Sequence, residues 1–446
     1  MSNFSGQLAA AFERAAPALP GHANPALSAR RRAALDAFMQ TGLPGPRDER
    51  WKYTSVRALE RREFSLAARG EADPVTADAE KSLALGQLDP WRLTFVNGRF
   101  APQLSVLDDL PEGVVLESLG VFLDGHADRL DELPDQGFAG PSDAFALLNT
   151  AFMHDGHVLV LPDNVRLERP VHVVYLGMPR DVSLMSHLRN IVQLGENCEA
   201  TIIEHWLGAG RENEHDNLTN TVGLSLLGKG AKLTHLRLQQ DSAHGVLVDR
   251  HDVIQQEASS YTAHTFDFGG KLVRHDLNTR FEAPGARCEL NGLYVLDGRQ
   301  HVDNHTRIDH ASPDCTSKEQ YKGVLNDRAH GVFDGLVLVQ PGADGTDAHQ
   351  SNANLLLSGD AEVDTKPQLE IYADEVRCSH GASVGQLDED ALFYLRCRGL
   401  DESAARGLLM RGFGMEMIDR VDSPELRQVL EGMLDQRLAV FGENRP

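Results

Sequence analysis

The sequence predicts a mainly β protein, with a right-handed parallel β-helix between an N-terminal helical or α+β region and a C-terminal helical region. In the middle of the chain, short β-branched runs alternate with turns, and convincing helix starts are nearly absent. Turn-like sites recur at steps of 33, 29, 28 and 28 residues. This spacing is typical of a β-solenoid, and the stretch is long for a β-sandwich, the structural alternative. The predicted regions are residues 1–156, 157–386 and 387–446.

The N-terminal region contains local signals for two helices and one hairpin. Proline at position 25 suits a first helical turn, and Gly42 suits the end of that helix. An Asn-Gly turn within residues 93–100 is a strong hairpin signal. Ser142 is the predicted cap of a second helix over residues 143–153.

The middle region contains the repeating turns and strands. The turns begin at Gly195, Gly228, Glu257, Gly285 and Pro313. Apolar runs predict strands at 158–161, 171–176, 191–194, 200–205, 222–227, 233–238, 246–248, 261–268, 290–296 and 332–339. Further along, stacked amides are expected to satisfy backbone groups, at positions Gln350, Asn352 and Asn354.

The C-terminal region shows clear helix punctuation. Asp388 predicts a helix start, arginines occupy the last turn, and Gly399 ends the helix. Asp401 predicts a second start, and the pair Ser423-Pro424 predicts a third.

Composition restricts the class of partner. The hydrophobic fraction of 41% and the charged fraction of 24% are ordinary for a globular protein. A net charge of -23 disfavours nucleic acid and anionic membrane surfaces, and no apolar run is long enough for a membrane helix. Five dispersed cysteines and the lack of a signal-like N-terminus predict reduced thiols in the cytoplasm.

The most specific chemical signal is Cys378 with His380. Residues two apart on a strand face the same way, so the thiol and the imidazole should project side by side. These ligand types suit iron or zinc, but two ligands do not complete a site. The alternative is a buried cysteine and a hydrogen-bonded histidine at the end of a sheet.

Two other clusters suggest different functions. His301, Asp303 and His305 share one strand face and could bind a metal ion, although a solvated outer face of the solenoid is the favoured interpretation. Carboxylate pairs such as Asp267 and Asp276 are compatible with a β-helix enzyme acting on polysaccharide.

A set of motifs extends from about residue 48 to residue 411, nearly the whole chain. They lie at 48–54, 95–100, 149–156, 303–310, 321–323, 333–335, 350–358, 366–372, 378–382 and 392–399. As a set they resemble the SufB/SufD family of iron–sulfur cluster assembly proteins, and its SufD members in particular.

The resemblance implies a non-catalytic subunit that assembles with a SufB-like scaffold and a SufC-like ABC ATPase, and that can also form a homodimer. It implies that iron or a nascent cluster is held at the interface with SufB. By position, His380 matches the interface histidine, and Cys378 is a weaker candidate. The resemblance places ATPase docking on the helix with Phe393, Tyr394, Arg398 and Gly399.

Two positions favour the SufD side of the resemblance. SufB-like chains are expected to carry a cysteine near position 353 and a glutamate after the histidine, whereas this chain has Ala353 and Gly381. It therefore lacks the scaffold's main thiol and is expected to supply ligands to a shared site. A plain interaction scaffold with no metal role is the remaining alternative.

Overall fold

The computed structural model describes residues 3–67, 73–125, 143–209 and 215–443. Its centre is a parallel β-solenoid, which confirms the predicted fold class. A mixed α/β region precedes the solenoid and three helices follow it. No helix within these ranges is long and apolar enough to cross a membrane.

Two longer helices and several short elements precede the solenoid. They are α1 Asn3–Ala15, α2 Pro25–Thr41, β1 Ser65–Leu66, α3 Ala77–Lys81, β2 Trp91–Val96, β3 Arg99–Phe100, β4 Val115–Ser118, α4 Leu119–Gly125 and α5 Ala144–Phe152. After the solenoid come α6 Glu389–Cys397, α7 Glu402–Ile418 and α8 Pro424–Glu443.

The solenoid contains sixteen strands, most of them about ten residues long. They are β5 His157–Leu161, β6 Val171–Gly177, β7 Leu184–Leu194, β8 Glu199–Gly208, β9 Asn217–Leu227, β10 Lys232–Gln240, β11 Gly245–Gln255, β12 Ser260–Asp267, β13 Leu272–Phe281, β14 Arg287–Leu296, β15 His301–His310, β16 Thr316–Leu325, β17 His330–Val339, β18 Asp347–Leu356, β19 Glu362–Ile371 and β20 Arg377–Gly385.

Successive strands of the solenoid alternate between two sheets. Sheet A runs in the order β19-β17-β15-β13-β11-β9-β7-β5-β4, and sheet B runs in the order β20-β18-β16-β14-β12-β10-β8-β6-β2-β3. From β7 onward, each solenoid strand pairs in parallel with the strand two earlier in the sequence. The order in each sheet therefore follows the order of the chain.

The recurring turns stack one above another, as the spacing predicted. The amide of Asn197 donates to the carbonyl of Lys229 at 2.8 Å, and the amide of Gly230 donates to that of Glu257 at 2.8 Å. One residue in each turn has positive φ, at Asn197, Gly230, Ala258, Gly285 and Asp314. These hydrogen bonds satisfy turn backbone groups that would otherwise be unpaired.

Three of the five apolar clusters in the described residues pack the main layers together. The first fills the space between the sheets and includes Leu233, Tyr261 and Leu290. The second joins the outer face of sheet B to the C-terminal helices, with Ile203, Leu236, Phe266, Leu293, Met417 and Leu430. The third joins the outer face of sheet A to the N-terminal helices, with Phe38, Phe145, Leu148, Met185 and Leu218.

Local signals located most helix ends correctly. Helix α2 begins at Pro25 and ends before Gly42, and the Asp388 and Asp401 carboxylates accept hydrogen bonds from the first-turn amides of α6 and α7. Ser142 lies outside the described residues. The Asp143 carboxylate accepts from the amide of Ala146, so α5 begins one residue later than expected.

The predicted hairpin is confirmed. Strands β2 and β3 pair antiparallel, with Phe95 opposite Phe100. The turn residues Asn97 and Gly98 have φ of 49° and 76°. Both angles lie in the left-handed region that an Asn-Gly turn favours.

The apolar strands were found from sequence, but four polar ones were not: β13, β16, β18 and β19. In β16 the positions that face the interior include Ser317 and Glu319, both buried. An interior lined partly by polar side chains removes the apolar alternation on which strand prediction depends.

Candidate functional site

The last strand of the solenoid carries Cys378 and His380. In β20 these residues pair in register with Ala348 and Gln350, whose side chains face the interior. Cys378 is half-buried and packs against the interior core, whereas His380 is exposed. The predicted alignment of the two side chains on one strand face is therefore present, at the end of the solenoid.

The last coil of the solenoid has no further coil over it in the described chain. Strands β19 and β20 are the terminal members of sheets A and B. Every described residue of β20 except Cys378 is exposed. A long sheet edge with unpaired amides and carbonyls is a template for pairing with another chain.

The two candidate ligands differ in their surroundings. Burial raises the pKa of the Cys378 thiol, which lowers the fraction of thiolate available to a metal ion. The His380 ring is exposed, so a metal ion could reach it from outside. The ranking of His380 above Cys378 as a metal ligand stays a prediction.

Larger groups of ligand-capable side chains lie elsewhere in the described chain. The first group lies in the interior and contains Glu204, His235 and His251. The second lies nearer the surface and contains His330, Glu362 and Asp364. Sequence reasoning missed both groups, because their members come from different strands. The stacking of the turns is the signal that could have found them, since it fixes which residues are neighbours in the sheets.

The cluster at His301 is structural, and the expectation of a solvated outer face is wrong at Asp303. That carboxylate is buried, binds the Arg274 guanidinium at 2.6 Å and accepts a hydrogen bond from Thr54. Burial alone would raise the pKa of Asp303, but Arg274 holds it well below its usual range. The Arg274 guanidinium also lies 4.0 Å from the ring centre of Trp51. The N-terminal segment therefore covers this face.

The carboxylates proposed for an enzyme do not face one another. Asp267 lies in the interior and contacts His275 Nε2 at 3.0 Å. Asp276 lies on the outer side of sheet A and binds Arg274 and Arg50 at 2.9 Å each. Both are engaged in ion pairs or hydrogen bonds, on opposite sides of the sheet.

Helix α6 follows β20 directly and exposes two aromatic side chains. Phe393 is 70% exposed and Tyr394 is 56% exposed. The Arg398 guanidinium lies 5.1 Å from the ring centre of Tyr394, and Gly399, with φ of 96°, ends the helix. These four predicted docking residues form one exposed patch.

Two family models match the chain in succession. The model described as the SufBD protein N-terminal region matches residues 2–173. The model described as SUF system FeS cluster assembly, SufBD core domain, matches residues 178–413.

The chain belongs to the SufBD family.

The sequences of relatives in this family match most of the length of this chain. An iron–sulfur cluster assembly SufBD family protein of Synechocystis is 33% identical over 404 residues, covering 89% of this chain and 88% of the relative. The iron–sulfur cluster assembly protein SufD of Escherichia coli is 32% identical over 91% of each chain. SufD of Bacillus subtilis is 24% identical over 75% of this chain and 76% of its own. The chain is thus a SufD-like member of the SUF system.

The match to the SufBD core domain covers the part of the molecule that carries the candidate site. It spans the solenoid from its third strand through α6 and into α7. The open coil and the exposed patch on α6 therefore both lie inside the region that is shared with the family.

Proposed function

We propose that this chain is a non-catalytic subunit of a cytoplasmic SUF assembly complex. In this proposal it pairs with a SufB-type scaffold through its last coil and supplies His380 to a shared site. Iron or a nascent iron–sulfur cluster is the cargo of that site, with Cys378 as a secondary ligand. The SufC-type ATPase docks on the patch formed by Phe393, Tyr394, Arg398 and Gly399.

The observation that carries the proposal is an exposed imidazole on an unpaired sheet edge. His380 lies on a strand whose outer side has no partner in the described chain. Pairing of that edge with a second protein would bury the imidazole beside the partner's side chains. A ligand set that is incomplete in one chain is what a shared site requires.

Docking of the ATPase next to this strand would connect nucleotide hydrolysis to the shared site. Only Leu387 and its neighbours separate the end of β20 from the start of α6. A displacement of α6 by the ATPase would therefore act directly on the strand that holds His380. The ATPase activity itself belongs to the partner.

The test is a reconstituted complex that contains His380→Ala. This chain is co-expressed with its SufB-type and SufC-type partners, and iron and cluster are measured per complex after anaerobic reconstitution. We expect an intact complex with a several-fold lower cluster yield. His349→Ala is the matched control, because His349 is an exposed histidine one coil earlier, on the other strand face. It should retain the full yield.

The result also separates the alternatives. An undiminished cluster yield in both His380→Ala and Cys378→Ala complexes would favour a plain interaction scaffold. Failure of His380→Ala to assemble at all would assign the residue to docking and remove its role as a ligand.

A further inference from the structure

The interior of the solenoid contains a group of titratable side chains far from the open coil. Glu204 on β8, His235 on β10 and His251 on β11 are each 2% exposed or less. Their strands also supply apolar residues to the interior core. Strand β8 is six positions from β20 in sheet B, about 29 Å at the usual strand spacing. The group is therefore separate from His380.

The three side chains are arranged as a ligand set. One carboxylate oxygen and two imidazole nitrogens all lie within 4.8 Å of one another. The oxygen Oε2 of Glu204 and the nitrogen Nε2 of His235 are 3.0 Å apart. Ligand atoms each about 2.1 Å from one ion are separated by roughly 3 to 3.5 Å. Small side-chain rotations would bring all three to a common ion.

Neighbouring polar groups hold the other ends of these side chains. Nδ1 of His235 lies 3.0 Å from the Tyr261 hydroxyl, and Nε2 of His251 lies 2.8 Å from Ser225 Oγ. Asn190 Nδ2 donates to Glu204 Oε1 at 2.7 Å. Metal-binding histidines and carboxylates are usually oriented by partners of this kind.

One ring nitrogen is left without a partner. Nδ1 of His251 has no hydrogen-bond partner within the described chain, although the residue is 1% exposed. Gly223, opposite it on β9, makes room for the His251 ring, because a Cβ at Gly223 would collide with this nitrogen. A buried polar atom without a partner is unfavourable, and a bound cation would satisfy it.

The charge balance of the interior favours a cation near Glu204. The closest arginine, Arg237, contacts Asp249, while its Nε lies 3.9 Å from Glu204 Oε2. His275 lies between two carboxylates. Its Nδ1 is 3.1 Å from Asp249 Oδ2, and its Nε2 is 3.0 Å from Asp267 Oδ1. Glu204 and Asp249 thus share one arginine, and the other direct partners of Glu204 are neutral or titratable.

From these contacts we infer that Glu204, His235 and His251 bind a divalent first-row transition metal ion, such as Zn²⁺ or Fe²⁺, inside the solenoid. Two imidazoles and one carboxylate are a ligand set that such ions take in proteins. His157, whose Nδ1 lies 3.9 Å from Glu204 Oε1, is the nearest further imidazole. Because the site is enclosed, the ion enters as the coils form. The inference does not depend on the function proposed for His380.

For the test, the full chain is refolded with one equivalent of Co²⁺, and unbound metal is removed by gel filtration. The Co²⁺ that stays bound per chain is then measured. Co²⁺ serves as a spectroscopic probe, because its visible absorption reports nitrogen and oxygen ligation. We expect close to one ion per chain, and at least a tenfold lower retention in Glu204→Gln and in His235→Gln. His310→Gln is the control, since His310 is a buried interior histidine outside the cluster. It should retain the ion.

Retention that is the same in Glu204→Gln, His235→Gln and the unmodified chain would overturn the inference. If the variants do not fold, anomalous diffraction from crystals of the unmodified Co²⁺-refolded chain decides the question. A peak between the three side chains supports the site. Peaks only near His380 or His330, or no peak, reject it.

Discussion

The pKa of a buried carboxylate depends on its burial and on its hydrogen-bond partners, and Asp155 is an example. Its carboxylate is 8% exposed and accepts hydrogen bonds from the Ser118 hydroxyl at 2.6 Å and from the amides of Gly120 and Gly156. Burial outweighs these bonds and raises the pKa of Asp155 to about 6. The native state therefore binds a proton at a pH where the unfolded chain has released it.

The shift predicts a loss of stability as pH rises. Below pH 4 both states are protonated, so Asp155 contributes no pH dependence. Between pH 4 and pH 6 only the native state keeps the proton, so the free energy of unfolding falls, by about 3 kcal/mol in total. Asp155→Asn cannot ionise and should lack this fall.

Urea unfolding from pH 4.5 to pH 7.5 measures the difference. Asp155→Asn should gain stability relative to the unmodified chain as pH rises. Asp108→Asn, which changes an exposed carboxylate, should follow the unmodified chain. Parallel pH profiles for Asp155→Asn and the unmodified chain would contradict the prediction.

Whether residues share a strand explains which site residues could be found from sequence. Cys378 and His380 were found because both lie in one strand, where spacing alone determines the face. Glu204, His235 and His251 lie on three strands, 31 and 16 residues apart. Their proximity depends on the register between coils, which a single sequence does not specify residue by residue.

The helices and the hairpin outside the solenoid could be predicted where capping residues or turn residues determine where they begin and end. Helix α6 has its acidic first turn and Asp388 cap, and an Asn-Gly turn joins β2 to β3. The strands with polar interiors were missed, because their buried hydrogen bonds form only across coils. In β18, for example, Asn354 Oδ1 accepts from the Tyr294 hydroxyl at 2.5 Å, across two strands.

The exposed patch on α6 supports a prediction about docking. We expect the double change Phe393→Ala with Tyr394→Ala to lower affinity for the SufC-type ATPase at least tenfold, because exposed aromatics commonly dominate interface energies. Pairing with the SufB-type scaffold should persist, since it uses another surface.

Affinity for the immobilised ATPase is the measurement. Val121→Ala is the control, because Val121 is 51% exposed on α4, in the N-terminal region. Undiminished binding by the double variant would exclude α6 as the docking helix.

At the scale of the whole molecule, the solenoid is covered on both outer faces but open at one end. The N-terminal helices lie over sheet A and the C-terminal helices over sheet B. We propose that the chain has three regions, residues 1–156, 157–386 and 387–446. The first solenoid strand begins at His157 and the last one ends at Gly385. We expect the open end to be the surface through which the molecule associates with its partners.

This architecture predicts self-association when partners are absent. Two copies can pair through their last strands, and Val384, 49% exposed on β20, would lie in that contact. We expect Val384→Glu to shift the unmodified dimer toward monomer, because burying a carboxylate without a partner is unfavourable.

Sedimentation velocity of the isolated chain reports the dimer fraction. Val182→Glu is the control, since Val182 is 45% exposed in the loop before β7, toward the other end of the solenoid. A dimer fraction that responds equally to both changes would argue against association through β20.

The agreement between strand order and chain order has a consequence for synthesis. A nascent chain can add each coil to the one already formed as it leaves the ribosome, so long-range pairing need not wait for the stop codon. The outer face of sheet B is different, because Leu236, Phe266 and Leu293 are covered by helices that follow the solenoid in the chain. Until those helices emerge, this apolar surface is open to chaperones or to aggregation. We therefore expect the nascent chain to be most prone to aggregation after the solenoid has formed and before α6, α7 and α8 have emerged.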